Sequence, residues 1–338
     1  MPNDGLTCTV TDELLKDLTA PQKEAVTHRN GPLLVLAGAG SGKTRVVTRR
    51  IAYLISRGVW PNQILALTFT NKAANEMRLR VESLVGTLPR WVCTFHSACA
   101  RFLRRDMERL GSRRTSRFTI YDAADQRSVL KRCMEDLGVE AKRGRVGEIL
   151  AGISRAKCSL VTPGELAQSA KDPVLPQLYE RYESMLQELN SVDFDDLLLL
   201  MVRLLQEKPY VRDIYHNRFR YLLIDEYQDT NRLQYNLMQL LTGPERNVHV
   251  TGDPDQSIYS WRGADHRNML DFTSDYQDAK LVRLEQNYRS TPNILKAANA
   301  LIRCNRSRME KELFTENPDG TPLRTVQVMT GQDEAEWL

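Results

Sequence analysis

Six short segments are apolar through most of their length: PLLVLAG, QILALTFT, WVCTFH, YLLIDE, NVHVTGD and AKLVRLEQN. A strand with one wet face alternates apolar and polar positions, whereas a strand covered on both faces does not. These runs therefore predict a parallel sheet wrapped by helices. Apolar positions at helical spacing lie between them, and that alternation predicts the α/β class. The rhythm changes between about residues 101 and 188. Apolar positions there fall at helical spacing, with RFTIYD the one candidate strand, which predicts a mostly helical unit inserted into the α/β domain. Asp193, Asp195 and Asp196 then open the apolar helix LLLLMVRLL, where first-turn acids act as caps and suit the helix dipole. The alternation resumes past Thr291.

Composition narrows the class. A chain of 338 residues, 41% hydrophobic and 27% charged, is an ordinary globular sequence with room for two domains or one carrying a large insertion. No apolar run reaches the length of a membrane span, and the start MPNDGLTCTV lacks the basic-then-apolar order of a signal peptide. A cytoplasmic protein with no membrane partner is expected, nucleoid-associated if its source is bacterial. Six cysteines (Cys8, Cys93, Cys99, Cys133, Cys158, Cys304) show no C-x-x-C pair, so neither a zinc site nor a disulfide framework is expected. The net charge of +4 is uneven: residues 101–158 hold fifteen Lys or Arg against eight Asp or Glu. Such an excess is either a solvated helical face or an electrostatic footprint for nucleic acid. Under the second reading, Arg113 and Arg114 meet phosphates.

The segment LLVLAGAGSGKTRVVTRRIAYLI places a strand, a small-residue loop and an amphipathic helix in succession. Backbone N–H groups of such a loop surround phosphate oxygens only where no side chain intrudes, which is the reason for Ala39, Gly40, Ser41 and Gly42. Lys43 would reach the β- and γ-phosphates, and the Thr44 hydroxyl would ligate Mg²⁺. Ala37 stands where the strict pattern has glycine. A P-loop needs a second carboxylate at another strand's end, and YLLIDEYQD supplies Asp225 for the metal, then Glu226 to orient and deprotonate an attacking water.

In order, these segments resemble the UvrD/Rep family of superfamily 1 DNA helicases over residues 18–290. AGAGSGKTR matches the family's P-loop, Ala37 included. LTAPQKEAV resembles its adenine-recognition segment, which implies that Gln22 reads the base edge. LTFTNKAANEMRLR and TFHS resemble segments that touch single-stranded DNA, implying contacts from Phe69, Thr70, Asn71 and His96. LLIDEYQDTN resembles its metal and water-activating motif. GDPDQSIYSWRGA resembles the motif joining nucleotide to DNA, with Gln256 sensing the γ-phosphate and Tyr259, Trp261 and Arg262 on the strand. LEQNYRS implies that Tyr288 stacks on adenine near Arg45 and that Arg289 approaches the γ-phosphate. A planar cation there stabilises charge developing on the transferred phosphoryl, worth about 10³ to 10⁵ in rate. Read from residues alone, Tyr288 is equally well a core aromatic. Polar neighbours of Tyr259 and Trp261 argue against a buried strand, and an exposed aromatic beside arginine suits sequence-indifferent base stacking.

The resemblance implies a P-loop NTPase with a RecA-like parallel sheet. Residues 1–100 and 191–280 would form the first RecA-like domain, 101–190 a basic helical insert, and 281–338 the start of a second RecA-like domain. It further implies an ATP-dependent, Mg²⁺-requiring helicase or translocase moving 3′ to 5′ on single-stranded DNA and single/double-strand junctions, in repair or replication. Two later family motifs, one carrying a second arginine, find no match after Arg303, so the chain is expected to be an N-terminal half whose partner is the missing C-terminal helicase half. The rival expectation is a nucleotide-dependent single-stranded DNA-binding module, or inactive partner, without unwinding of its own. A P-loop transporter or signalling ATPase explains the phosphate loop but not Phe69, Trp261 or the basic insert.

Overall fold

The computed structural model describes residues 12–142, 144–265, 267–305 and 309–338, with Arg262 described for its backbone alone. Among the described residues there are eight strands: β1 (Leu33–Ala37), β2 (Ile64–Thr68), β3 (Val92–Thr94), β4 (Thr119–Ile120), β5 (Ser191–Val192), β6 (Tyr221–Ile224), β7 (Val248–Gly252) and β8 (Lys280–Leu284). The six apolar segments are the six strands of one sheet, ordered β3-β2-β6-β7-β1-β8, and every pairing in it is parallel. β1, β2 and β7 are buried at every position, as strands between two helical layers must be. β8 instead exposes Lys280 and Arg283, charges that blunt a sheet edge against further pairing.

Successive side chains of one strand enter opposite cores. Leu34 and Leu36 of β1 join Leu65 and Leu67 of β2 beneath the helices Phe95–Asp106, Phe194–Glu207 and Arg232–Leu241. Leu33, Val35 and Ala37 face Ala25 and Val26 of the helix Ala20–Thr27, while Ile64 and Ala66 face Val47 and Ile51 of the helix Lys43–Ser56. β8, expected as the start of a second domain, pairs with β1 from Leu33↔Lys280 to Ala37↔Leu284. The expected boundary at residues 280/281 thus falls inside a strand of the first sheet.

The insert between β3 and β6 has its own core, built from Leu130 and Met134 of the helix Ala123–Asp136, Ile149 and Ile153 of Arg145–Cys158, and Leu178 and Tyr182 of Val174–Glu188. At its neck β4 pairs with β5, and a buried ionic cluster lies beside them. Lys157 Nζ reaches Asp196 at 2.7 Å, Asp193 at 2.8 Å and Glu183 at 2.5 Å. Arg114 donates to Ser191 O at 2.8 Å and pairs with Asp196 and Glu183, each at 3.4 Å. Three carboxylates face two cations, so burial, with Asp193 and Glu183 nearby, pushes the Asp196 pKa up to about 7 against the pull of Lys157 and Arg114. Asp193 also caps its helix, accepting from Asp196 N at 2.8 Å, as its position at the helix start implied.

This cluster corrects the nucleic-acid reading at Arg114. Arg114 and Lys157 are buried counter-ions of carboxylates, so neither meets a phosphate. Arg104 is spent on Ser116 O and Phe118 O, and Arg101 on Arg90 O. Arg113, Arg127, Lys131 and Arg132 remain exposed. Among the described residues no helix is long and apolar enough to cross a membrane, and the five described cysteines are free; Cys8 lies outside them.

Candidate nucleotide and nucleic-acid site

Apart from Gln22, every residue expected at the site follows the carboxyl end of a parallel strand, the rim where open α/β sheets bind ligands. After β1 the chain turns back on itself: Ser41 donates to Gly38 O from N at 3.3 Å and from Oγ at 2.8 Å. Gly40 and Gly42 adopt left-handed φ of 68° and 93°, and Gly42 precedes the helix Lys43–Ser56 with no side chain capping its first N–H groups. Those donors and the helix dipole favour an anion. Thr44 and Arg45 lie partly exposed in the first turn. Gln22 is buried beneath the loop, donating to Ser41 O at 2.9 Å and accepting from Thr19 N at 3.2 Å. Its helix is anchored by buried Arg50, which donates to Ala25 O at 3.1 Å and also bonds His28 O.

Three residues expected to act on the terminal phosphate meet at one point. Lys43 Nζ stands 3.3 Å from Glu226 Oε2 and 3.2 Å from Gln256 Oε1. Glu226 sits at φ 52°, a left-handed conformation that non-glycine residues rarely adopt and that costs about 1–3 kcal/mol. Three contacts hold it: its N–H donates to Asp225 Oδ1 at 3.1 Å, and its carboxylate accepts from Gln228 Nε2 at 2.9 Å besides Lys43. Burial, then the Glu226 charge, pushes the Asp225 pKa up to about 7, while Lys43 and the Glu226 N–H work the other way. Asp225, a buried carboxylate short of positive charge, and the Thr44 hydroxyl are hard oxygen donors of the kind Mg²⁺ takes.

The segment after β8 clasps this loop. Tyr288 N donates to Gly40 O at 3.0 Å, and buried Asn287 donates to Ala39 O at 2.6 Å while accepting from Arg289 N and Ser290 N. Tyr288 is exposed, which removes the core alternative, and with Gln22, Thr19 and Phe314 it lines a pocket of about 120 Å³. Arg289 is exposed with its Cβ against Gly40.

The chain leaving β7 crosses from the phosphate loop toward β2. Asp253 N donates to Gln228 Oε1 at 2.9 Å and Ser257 Oγ to Gln228 O at 3.3 Å, which pins the crossing over the end of β6. Tyr259 then stacks on Phe69 with centroids 4.9 Å apart, and Trp261, 73% exposed, follows at 6.4 Å. The Arg262 side chain lies outside the described residues. Thr70 caps the helix Asn71–Val85, accepting from Ala73 N at 3.1 Å, and Asn71 is exposed at that helix start. His96, its pKa lowered by burial, meets the exposed ring of Phe194 edge-on at 5.8 Å. Phe194, Gln228 and Asn287 were missed in sequence. Phe194 reads there as one apolar residue of a helix start; Asn287 bonds Ala39 across 248 positions, and Gln228, besides holding nearby Glu226, bonds Asp253 and Ser257 across 25 and 29.

Comparison with known proteins places these features in a family. The profile described as UvrD/REP helicase N-terminal domain matches residues 18–277, and that of the UvrD-like helicase C-terminal domain matches residues 282–338. The chain is 46% identical over 331 residues to the ATP-dependent DNA helicase PcrA of Staphylococcus epidermidis and 45% identical over 331 residues to that of Staphylococcus aureus. Each match covers 96% of this chain and 45% of the relative, so the chain spans about half the length of these curated relatives.

Proposed function

The chain belongs to the UvrD/REP helicase family, and on that premise we propose that it hydrolyses Mg²⁺-ATP and grips single-stranded DNA as part of a DNA helicase. The observation that carries the reading is the single crossing after β7. It bears Gln256 on Lys43 at one end and, at the other, Tyr259 stacked on Phe69 with Trp261 next to it. ATP phosphates would lie on the Gly40–Gly42 turn with Lys43, and adenine between Gln22 and Tyr288. Thr44 and Asp225 would hold Mg²⁺, whose charge offsets that of the phosphates. Lys43 would then exchange Glu226 for phosphate, freeing the Glu226 carboxylate to take a proton from water. Arg289, beside Gly40, would approach the γ-phosphate as the second unit closes.

Bases would stack on Trp261 and Tyr259, each worth about 1–3 kcal/mol whatever the base, which suits a motor that must step through any sequence. Phe69, His96 and Phe194 extend the aromatic surface, and the helix start at Thr70 and Asn71 suits a backbone phosphate. Junction binding, 3′ to 5′ movement and a role in repair or replication accompany this reading through the family. Lys43→Ala is expected to abolish ATP hydrolysis, and Trp261→Ala to weaken single-strand binding by about 1–3 kcal/mol. Retained DNA-stimulated turnover in the first, or unchanged oligonucleotide affinity in the second, would refute the respective role.

A further inference from the structure

Resting on the ATPase reading, we propose that Lys311 is a positioning residue for Gln256. Its side chain is only 3% exposed, although among the described residues it lies outside any helix or strand, between the helices Pro292–Ile302 and Gly331–Trp337. The ammonium pairs with both Asp253 and Asp255. The second oxygen of Asp253 accepts Gln256 Nε2, and its first accepts Asp255 N at 3.0 Å, so one carboxylate fixes both the turn and the amide. With Nε2 committed to Asp253, Oε1 of Gln256 is the atom left to face Lys43 Nζ at 3.2 Å. Lys311 therefore sets the amide's orientation through Asp253.

Electrostatics explains why a cation is needed. Asp253 and Asp255 are two carboxylates on one short turn beside a loop built to receive phosphates, and Asp253 is buried. Unpaired, they would repel each other and the nucleotide, and a buried charge without its partner relaxes by moving or by taking a proton. Either response would release Gln256 Nε2.

The same stretch is tied to the phosphate loop elsewhere. Leu313 packs so closely over Gly38 that a Cβ there would lie 2.2 Å from its Cδ2. Phe314 N donates to Glu285 O at 3.1 Å and Phe314 O accepts from Asn287 N at 2.7 Å. Movement of the segment after β8 would thereby be conveyed to Gln256 through an ion pair.

The test is a mutant cycle in the protein as its gene encodes it, reading ATP turnover with and without single-stranded oligonucleotide. Lys311→Met is expected to lower the stimulated kcat about tenfold to a hundredfold, as loss of positioning does, with the KM for ATP changing less than about twofold. Gln256→Ala should show the same pattern, and the double variant should be no slower than Gln256→Ala alone, because Lys311 acts through that residue. If Lys311→Met does not fold, Lys311→Gln, which keeps a donor in the buried space, takes its place in the cycle. Additive losses, or a raised KM with kcat held, overturn the assignment while leaving the ATPase reading intact. An unsubstituted protein that hydrolyses no ATP overturns both.

Discussion

At Gly40 a methyl group is excluded twice over. The backbone has φ 68°, and an added Cβ would lie 2.8 Å from Asn287 Nδ2 and 2.9 Å from Arg289 Cβ. Gly31 shares the positive φ, 84°, but has nothing within 4 Å of an added Cβ. Gly31→Ala is therefore expected to lose only the roughly 1 kcal/mol of left-handed strain, measured by denaturant unfolding, and to leave ATP binding unchanged. Gly40→Ala should in addition break the Asn287 bond to Ala39 O and displace Arg289, weakening ATP binding about tenfold or more. Equal ATP affinities in the two variants would mean that the clasp over the loop has no part in holding nucleotide. At this scale the sequence was readable where the chemistry is local: Lys43, Thr44 and the adjacent Asp225 and Glu226 are set by spacing along one loop or one strand end. Asn287 and Lys311 were not, since an amide or ammonium acting across the fold leaves no pattern near its own position.

Among elements, the neck of the insert is expected to respond to pH. Three carboxylates and two cations are sealed there, and the folded pKa of Asp196 lies above its ordinary value. A carboxyl of this kind is protonated more readily in the folded state. Its stabilising contribution is complete below the unfolded pKa and is lost as pH rises from about 4 to about 7. Relative to the unsubstituted protein, Asp196→Asn should flatten the fall of Tm over that interval, each kcal/mol corresponding to about 2–4 °C. Parallel Tm curves would place the uncompensated charge elsewhere. The strands were legible as apolar runs because burial on both faces leaves no alternation to misread. The place of Arg114 was not legible for the opposite reason: a basic run looks the same in sequence whether its members face water, phosphates or buried acids. That β8 joins the first sheet was not legible, because its partner β1 lies 247 positions away in sequence.

For the molecule as a whole, strand order does what no single motif could announce. The sheet sets β7 beside β1, which carries the phosphate loop, and separates it by β6 from β2, which leads to Phe69. A chain leaving β7 must therefore pass over the Asp225–Glu226 end of β6 to reach the aromatic surface, so the proposed nucleotide and base contacts would share one short crossing held by Gln228. On the proposed reading, phosphate-type polar residues and aromatics occur in one segment because the two ligands would lie at its two ends. The most direct measurement of that coupling is ATP turnover by Gln256→Ala, with and without a single-stranded oligonucleotide, alongside the affinity for the oligonucleotide without nucleotide. The account predicts affinity within about twofold of the unsubstituted protein, since Tyr259 and Trp261 are untouched, and a stimulation by DNA that collapses about tenfold or more. Full stimulation in that variant would contradict the claim that the crossing links hydrolysis to the strand.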